Sequence, residues 1–370
     1  VAGTTADIRR GELICELSAL QQFDTIIDVR TAAEYADDHI PGAINAPVMT
    51  AAERARIGRV YAQESAFKAT RLGAALVARH LAGHLETLFA DRPRHWKPLI
   101  YCWRGGKRSA ATATWFNLIG WKAGQLEGGY KTWRRHVMEA LEALPAQLQF
   151  IVLAGPTGSG KTRLLQALAQ IGAQTLDLEA LARHRGSLLG GLPNYPQPSQ
   201  RGFETALYDA IRNLDPARPV FIEAESRRIG KLDLPAKLMQ AMYRGRCIHI
   251  RAQLPQRVEF LLQDYAHLFA APEQFKQQLS RLAHLHSHKT VACWHGLIDA
   301  DRRAELFQAL VEQHYDPAYR RSSRNHYGDL ATAPAFFYDP TAVDSREQAQ
   351  ALLAQLALAG DCGRPKILDC

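Results

Sequence analysis

The string Gly155-Pro-Thr-Gly-Ser-Gly160-Lys161-Thr162 fits G-x-x-x-x-G-K-[ST] without a gap and leaves the chain few ways to fold. Such a turn binds phosphate only between a buried strand and a helix, where backbone N–H groups converge at a helix N-terminus. The flanks comply: Phe150-Ile-Val-Leu-Ala154 reads as a buried strand and residues 161–170 as a helix. The candidate phosphate-binding residues are Gly155, Thr157, Gly158, Ser159, Gly160, Lys161 and Thr162. The glycines let the backbone approach phosphate oxygens, Lys161 supplies a point charge, and Thr162 offers a hydroxyl to Mg²⁺. Later strands are expected at 174–178, 219–223 and 246–250, and 252–320 reads as helical. The expectation is a P-loop NTPase-like parallel α/β unit with helical additions. Phosphate binding follows from the pattern; nucleotide hydrolysis does not.

A second strand–turn–helix lies upstream. Phe23-Asp-Thr-Ile-Ile-Asp28-Val29-Arg30 and Pro98-Leu-Ile-Tyr101 read as parallel strands, and the latter runs straight into Cys102. Between them, 51–97 is mainly helical, with Leu72, Leu76, Val77, Leu81, Leu85 and Leu88 at core spacing. After Cys102 come Trp103, Arg104, Gly105, Gly106, Lys107, Arg108 and Ser109, then a helix over 108–119. A cysteine between a strand end and a helix N-terminus faces free N–H groups. Gly105 and Gly106 let them curl toward the sulfur, and three cations add positive charge. This cradle favours a thiolate, a persulfide-type anion or an oxyanion.

At 370 residues the chain exceeds one ordinary core. The expected division is 8–138, a linker at 139–149 broken by Pro145, and 150–370. The six cysteines form no CxxC pair, and the five besides Cys102 read as reduced structural or surface thiols. No apolar run reaches the ~18–20 residues of a membrane span. Val1 to Arg10 lacks an apolar signal core, so a cytoplasmic protein is expected. A net charge of +8 and pI of about 9.2 favour a polyanionic partner. Glu223 and Glu225 at a strand end, and Asp177, are acidic or metal candidates. His184, Arg185, Arg227 and Arg228 are candidates for phosphate or nucleic-acid contacts, with solvated charge or internal ion pairs as the competing reading. His284, His286 and His288 alternate, a spacing that does not converge on a helix and reads as surface.

Asp28-Val29-Arg30, Glu34-Tyr35, His39-Ile-Pro-Gly42-Ala-Ile-Asn45 and Leu126-Glu-Gly-Gly-Tyr-Lys-Thr-Trp133 resemble the rhodanese domain over about residues 10–140. That resemblance implies sulfur or selenium carriage on Cys102. Five residues separate Cys102 from Arg108, as in cysteine phosphatases, where many rhodanese loops have four. Tyr101 stands where a phosphatase usually has histidine, and the flanking motifs favour chalcogen transfer. The order of the two loops, with Asp177-Leu-Glu179-Ala-Leu-Ala-Arg-His184-Arg185-Gly186-Ser187, Gln197-Pro-Ser-Gln200, Glu223-Ala-Glu225-Ser-Arg227-Arg228-Ile-Gly230 and Tyr315-Asp-Pro-Ala-Tyr319, resembles the tRNA 2-selenouridine synthase family. The resemblance implies a transferase acting on tRNA with wobble 2-thiouridine. It would geranylate the sulfur from geranyl diphosphate, then replace it with selenium from selenophosphate, with Mg²⁺ at the P-loop. The sequence does not locate the isoprenoid pocket, for which the Gly/Pro-rich stretch 186–203 is one candidate. A rhodanese-type sulfurtransferase coupled to a P-loop NTPase, a small-molecule kinase and a non-catalytic tRNA-binding module are the alternatives.

Overall fold

The computed structural model describes residues 14–187, 189–191, 195–326 and 332–361. Two units are each built on a parallel sheet covered by helices. The first holds residues up to 141 together with 198–209, and the second holds 142–197 and the residues from 210 onward.

In the first unit the strands are β1 (Ile14–Cys15), β2 (Thr25–Asp28), β3 (Ile44–Asn45), β4 (Pro98–Tyr101) and β5 (Gly124–Leu126). They lie in the order β1-β5-β4-β2-β3, all parallel. Strand β4 is central and buried along its whole length, as its run of apolar residues requires. The helices are α1 (Ala32–Asp37), α2 (Ala51–Gln63), α3 (Ala66–Glu86), α4 (Lys107–Ile119) and α5 (Gly129–Ala143). Thr31 with Glu34 and Thr50 with Glu53 form capping boxes that start α1 and α2. Phe89, Trp96, Phe116 and Trp121 pack edge-to-face or tilted in the core.

The Asp28-Val29-Arg30 motif proves architectural. Arg30 Nη2 stands 2.7 Å from Asp28 Oδ2 and donates to the Asp38 carbonyl at 2.6 Å, with both charged side chains buried. Its guanidinium lies 3.9 Å from the centre of the Tyr130 ring. Tyr130 donates its hydroxyl to Asp38 Oδ2 at 2.7 Å. Asn45 Nδ2 donates to the carbonyls of Asp28 and Arg30, both at 3.0 Å.

In the second unit, β6 (Gln149–Ala154), β7 (Gln174–Leu176), β8 (Pro219–Glu223), β11 (Arg246–Arg251) and β12 (Ala335–Phe337) form a parallel sheet in the order β12-β11-β6-β8-β7. Strands β9 (Arg228–Ile229) and β10 (Leu232–Asp233) make a small antiparallel hairpin. Helices α6 (Lys161–Gln170), α7 (Leu178–Ala182), α9 (Ala236–Arg244) and α10 (Leu254–Asp264) belong to this unit, whereas most of α8 (Gln200–Arg212) belongs to the first. Next come α11 (Pro272–Ser280), α12 (His288–Asp299), α13 (Arg303–Leu310), α14 (Asp316–His326) and α15 (Arg346–Asp361). The expected strand at 174–178 ends at Leu176, because Asp177 caps α7 by accepting the Ala180 N–H at 2.8 Å. Short β3, β5 and β12 carry too few residues to show a period in sequence.

Residues 198–209 group with the first unit although they lie beyond the 139–149 segment. Thr205 Oγ1 donates to Asp38 Oδ2 at 3.0 Å, Arg134 pairs with Glu204, and Tyr208 meets the Trp133 ring edge-on at 5.5 Å. Buried polar contacts of this kind are invisible to a linear reading of hydrophobicity.

Replacing Arg30 by Ala would leave Asp28 buried without its partner. The expected loss is about 3–5 kcal/mol, read from urea unfolding midpoints. Arg228→Ala breaks an exposed pair with Asp233 and should change stability by less than about 1 kcal/mol.

Candidate active-site loops

Cys102 follows directly on β4 and is buried. Its Sγ accepts hydrogen bonds from Gly106 N at 3.2 Å and from Ser109 Oγ at 3.1 Å. Gly106 is the N-cap of α4 and supplies no side-chain cap, so the first N–H groups of the helix are left for the loop to use. Gln125 steadies the cradle from β5, donating through Nε2 to Ser109 Oγ at 3.1 Å and to the Gly105 carbonyl at 2.5 Å. Gly105 has φ +61°, and a Cβ there would stand 2.7 Å from the Leu126 carbonyl. A Cβ on Gly129 (φ +59°) would stand 2.2 Å from the Cys102 carbonyl. The Gly128-Gly129 pair therefore lets α5 close against the loop, where Tyr130 N donates to the Cys102 carbonyl at 2.9 Å.

The cations that surround Cys102 in sequence spread apart in space. Arg108 approaches Glu34, Nη1 to Oε2 at 3.7 Å. Lys107 Nζ donates to Thr70 Oγ1 at 3.2 Å. Arg104 turns to a separate cavity shared with Glu16, Glu127, Lys131 and Arg135. The direct partners of the sulfur are backbone and hydroxyl groups. Glu34 and Gln125 were missed by sequence reasoning. Their only signals were the Glu34-Tyr35 motif and a glutamine in an otherwise apolar strand.

In the second unit β6 ends at Ala154, and the P-loop turns into α6 through Gly158 (φ +82°) and Gly160 (φ +72°). Lys161 Nζ donates to the Gly155 carbonyl at 2.9 Å. Thr162 Oγ1 donates toward Glu223 Oε2 at 3.2 Å and Glu179 Oε2 at 3.3 Å. Carboxylate oxygens of Glu179, Glu223 and Glu225 all lie within 4.8 Å of one another. Burial first, then mutual repulsion, pushes each of the three up to about 8. Glu223 Oε1 is buried without a hydrogen-bond partner. Gly186 makes room for the cluster, since a Cβ there would stand 2.6 Å from Glu179 Oε1. An oxygen-only donor set with a free buried oxygen fits a hard divalent cation such as Mg²⁺. Asp177 stands outside this cluster as the cap of α7, and Glu179 joins the two predicted glutamates instead.

The P-loop borders a cavity of about 670 Å³ that also takes in Arg185, Tyr265 and Tyr315. Tyr315 ends a π-helical turn, Val311–Tyr315, of the kind often found where a helix is re-aimed at a site. Arg257, missed in sequence, donates through Nη2 to the Thr157 carbonyl at 2.8 Å and pairs with Asp316 at 2.6 Å. This pins the P-loop to α14.

Of the basic candidates, Arg185 pairs with Asp264 at 3.1 Å, and Arg228 is exposed and paired with Asp233. Arg227 is exposed on the β8–β9 turn. His184 is half-buried with Nδ1 lacking a hydrogen-bond partner. His286 Nε2 meets His314 Nδ1 at 3.0 Å, and His284 bonds the Arg281 carbonyl. Of the stretch 186–203, Gly186 and Ser187 line the P-loop cavity. Leu188 and residues 192–194 lie outside the described residues, as do Cys362 and Cys370.

The fold and these two loops define a rhodanese-like unit joined to a P-loop α/β unit. Residues 15–136 match the rhodanese-like domain, and residues 148–291 match the tRNA 2-selenouridine synthase AAA domain. The chain is 35% identical over 350 residues to tRNA 2-selenouridine synthase of Cupriavidus necator, covering 91% of each chain. It is 32% identical over 341 residues to the protein of that name from Nitrosomonas eutropha, covering 90% of this chain and 86% of that one. The match to the Nitrosomonas europaea protein is 36% identical over 257 residues, 68% of this chain and 66% of that protein. The chain belongs to the tRNA 2-selenouridine synthase family.

The raised carboxyls carry a pH signature. Their folded values near 8 exceed the ordinary 4.5, so the stability they confer is full below about 4.5 and lost as pH rises through about 8. In metal-free buffer, urea midpoints should therefore fall between about pH 5 and pH 8. Mg²⁺ should restore the midpoint at the upper end by binding the ionised cluster. A Glu223→Gln protein that gains as much from Mg²⁺ as the parent would refute the assignment.

Proposed function

We propose that the protein converts 2-thiouridine at the tRNA wobble position to 2-selenouridine by way of an S-geranyl intermediate. The observation that carries this reading is a sulfur-cradling cysteine loop and a P-loop with an acidic cluster in one chain of this family.

Thiocarbonyl sulfur leaves carbon poorly, and alkylation turns it into a thiol leaving group. In the first step the thiocarbonyl sulfur attacks C1 of geranyl diphosphate. The C1–O bond breaks with its electron pair on diphosphate, and the base loses its N3 proton. Backbone N–H groups of Gly158 and Gly160 and the ammonium of Lys161 stabilise the departing diphosphate. Mg²⁺, held by Thr162 and the Glu179–Glu223–Glu225 cluster, would add the charge neutralisation that a diphosphate leaving group needs.

In the second step the Cys102 thiolate attacks the phosphorus of selenophosphate, and the P–Se bond breaks with its electron pair on selenium. The selenide held at the Cys102 loop attacks C2 of the base, and water later cleaves the S-phosphate and frees Cys102. The C2–S bond breaks with its pair on sulfur, which takes a proton and leaves as geranylthiol. The N–H of Gly106 and the hydroxyl of Ser109 stabilise the chalcogen anion on the Cys102 loop. The basic surface of the chain suits a tRNA partner.

Mass spectrometry of nucleosides tests the reading, using 2-thiouridine tRNA incubated with the protein, geranyl diphosphate, Mg²⁺ and selenophosphate. Cys102→Ser should abolish selenouridine while S-geranyl-2-thiouridine accumulates. Lys161→Ala should slow geranylation by about a hundredfold or more. Unmodified tRNA, from protein that still takes sulfur from thiosulfate, would favour a sulfurtransferase with an attached NTPase.

A further inference from the structure

A wide cavity lies in the first unit, beside the cysteine loop. It holds about 1180 Å³. Small residues floor it: Ala51, Ala55 and Gly58 follow helical spacing on α2, and Gly73 and Ala74 answer them from α3. Trp115 of α4 and Tyr61 of α2 stand at its walls, 48% and 65% exposed. Two aromatic rings left this open beside an apolar floor are unusual on a soluble surface.

One end of the groove is charged. Trp103, Lys107 and Arg108 of the cysteine loop border it, together with Arg54 and Arg201. Glu34 and Asp37 partly balance these cations. Arg108 Nη1 is buried and makes no hydrogen bond. A ligand that fits has an apolar chain, and an anion close to the end nearest Cys102.

We propose that this groove holds the prenyl group of the S-prenylated nucleotide while the nucleotide's phosphates meet the cations at its mouth. The inference rests on the S-geranyl reading above and adds where the departing chain sits. Of the two possible carriers of such a chain, free prenyl diphosphate has its phosphate cradle at the P-loop. The groove borders the Cys102 loop that holds the selenide, where the S-prenyl nucleotide must be placed for displacement. An apolar leaving-group pocket there would favour alkylated over unalkylated substrate.

The test uses the full chain and anticodon stem-loop RNAs that differ only in carrying S-geranyl- or S-methyl-2-thiouridine. The parent protein should bind the geranyl RNA at least about tenfold more tightly, since each added carbon buries further apolar surface. Ala74→Trp, whose site on α3 is exposed, should bring that ratio close to one. Ala55→Trp on the facing helix serves if the first variant melts early. Retention of the preference in both folded variants would overturn the proposal. So would a parent protein with no preference, even one that selenates RNA. A parent that prefers geranyl RNA yet forms no selenouridine would remove the chemical reading and leave the pocket standing. Free geranyl diphosphate competing fully for the groove would assign it to the donor and overturn the nucleotide as occupant. A concentration-dependent dimer that Ala74→Trp dissociates would make the groove a contact between copies, with the same consequence.

Discussion

Helix N-termini left without side-chain caps are the feature on which both units turn. Gly106 precedes α4 and Gly160 precedes α6, and neither offers an oxygen to the first N–H groups of its helix. Those donors remain available to an anion, and each stands at the end of a central parallel strand. Thr31, Thr50, Ser65, Asp177 and Ser287 accept from the backbone of the helix they start, whereas α9, α11 and α13 also begin without a side-chain cap. A glycine N-cap after the central strand of each sheet, rather than the missing side-chain cap alone, sets the two anion sites apart from the scaffold.

Each anion site is held open by close backbone approach. A side chain at Gly129 would strike the Cys102 carbonyl, and one at Gly155 would stand 2.7 Å from the Ile250 carbonyl. Buried charge then fixes the surroundings. Arg30 gathers Asp28, the Asp38 carbonyl and the Tyr130 ring behind the cysteine loop. Arg257 ties Thr157 of the P-loop to Asp316. These arginines keep their loops in place without facing the anion, which explains why conspicuous charged motifs such as Asp28-Val29-Arg30 turn out to support the site from beneath.

Much of this was legible before any coordinates. The strands Pro98–Tyr101 and Pro219–Glu223 and the helix over 161–170 fall where the apolar patterns placed them. Long buried strands and glycine-punctuated turns are local properties, so local sequence reports them. The acidic cluster was only half visible. Glu223 ends β8 and Glu225 follows it, but Glu179 arrives from α7, and Asp177 was the more prominent acid in that segment. Spacing could not show that Asp177 spends its carboxylate on a helix cap. The grouping of residues 198–209 with the first unit was likewise hidden, because Thr205 reaches Asp38 across a wide gap in sequence.

What the sequence determined by itself was the pair of strand–turn–helix loops, their chemistry and the parallel α/β architecture. Glycine at a positive φ and a run of β-branched or apolar residues leave little choice of backbone. Tertiary structure alone decided which charges meet. It sent Lys107 to Thr70, Arg108 to Glu34 and Arg104 to a separate cavity, and left the Cys102 sulfur to N–H and O–H donors. It brought Glu179 to Glu223 and Glu225, and it opened the apolar groove between α2, α3 and α4. Long flexible side chains take their partners from packing between distant segments, and no spacing along the chain encodes that distance.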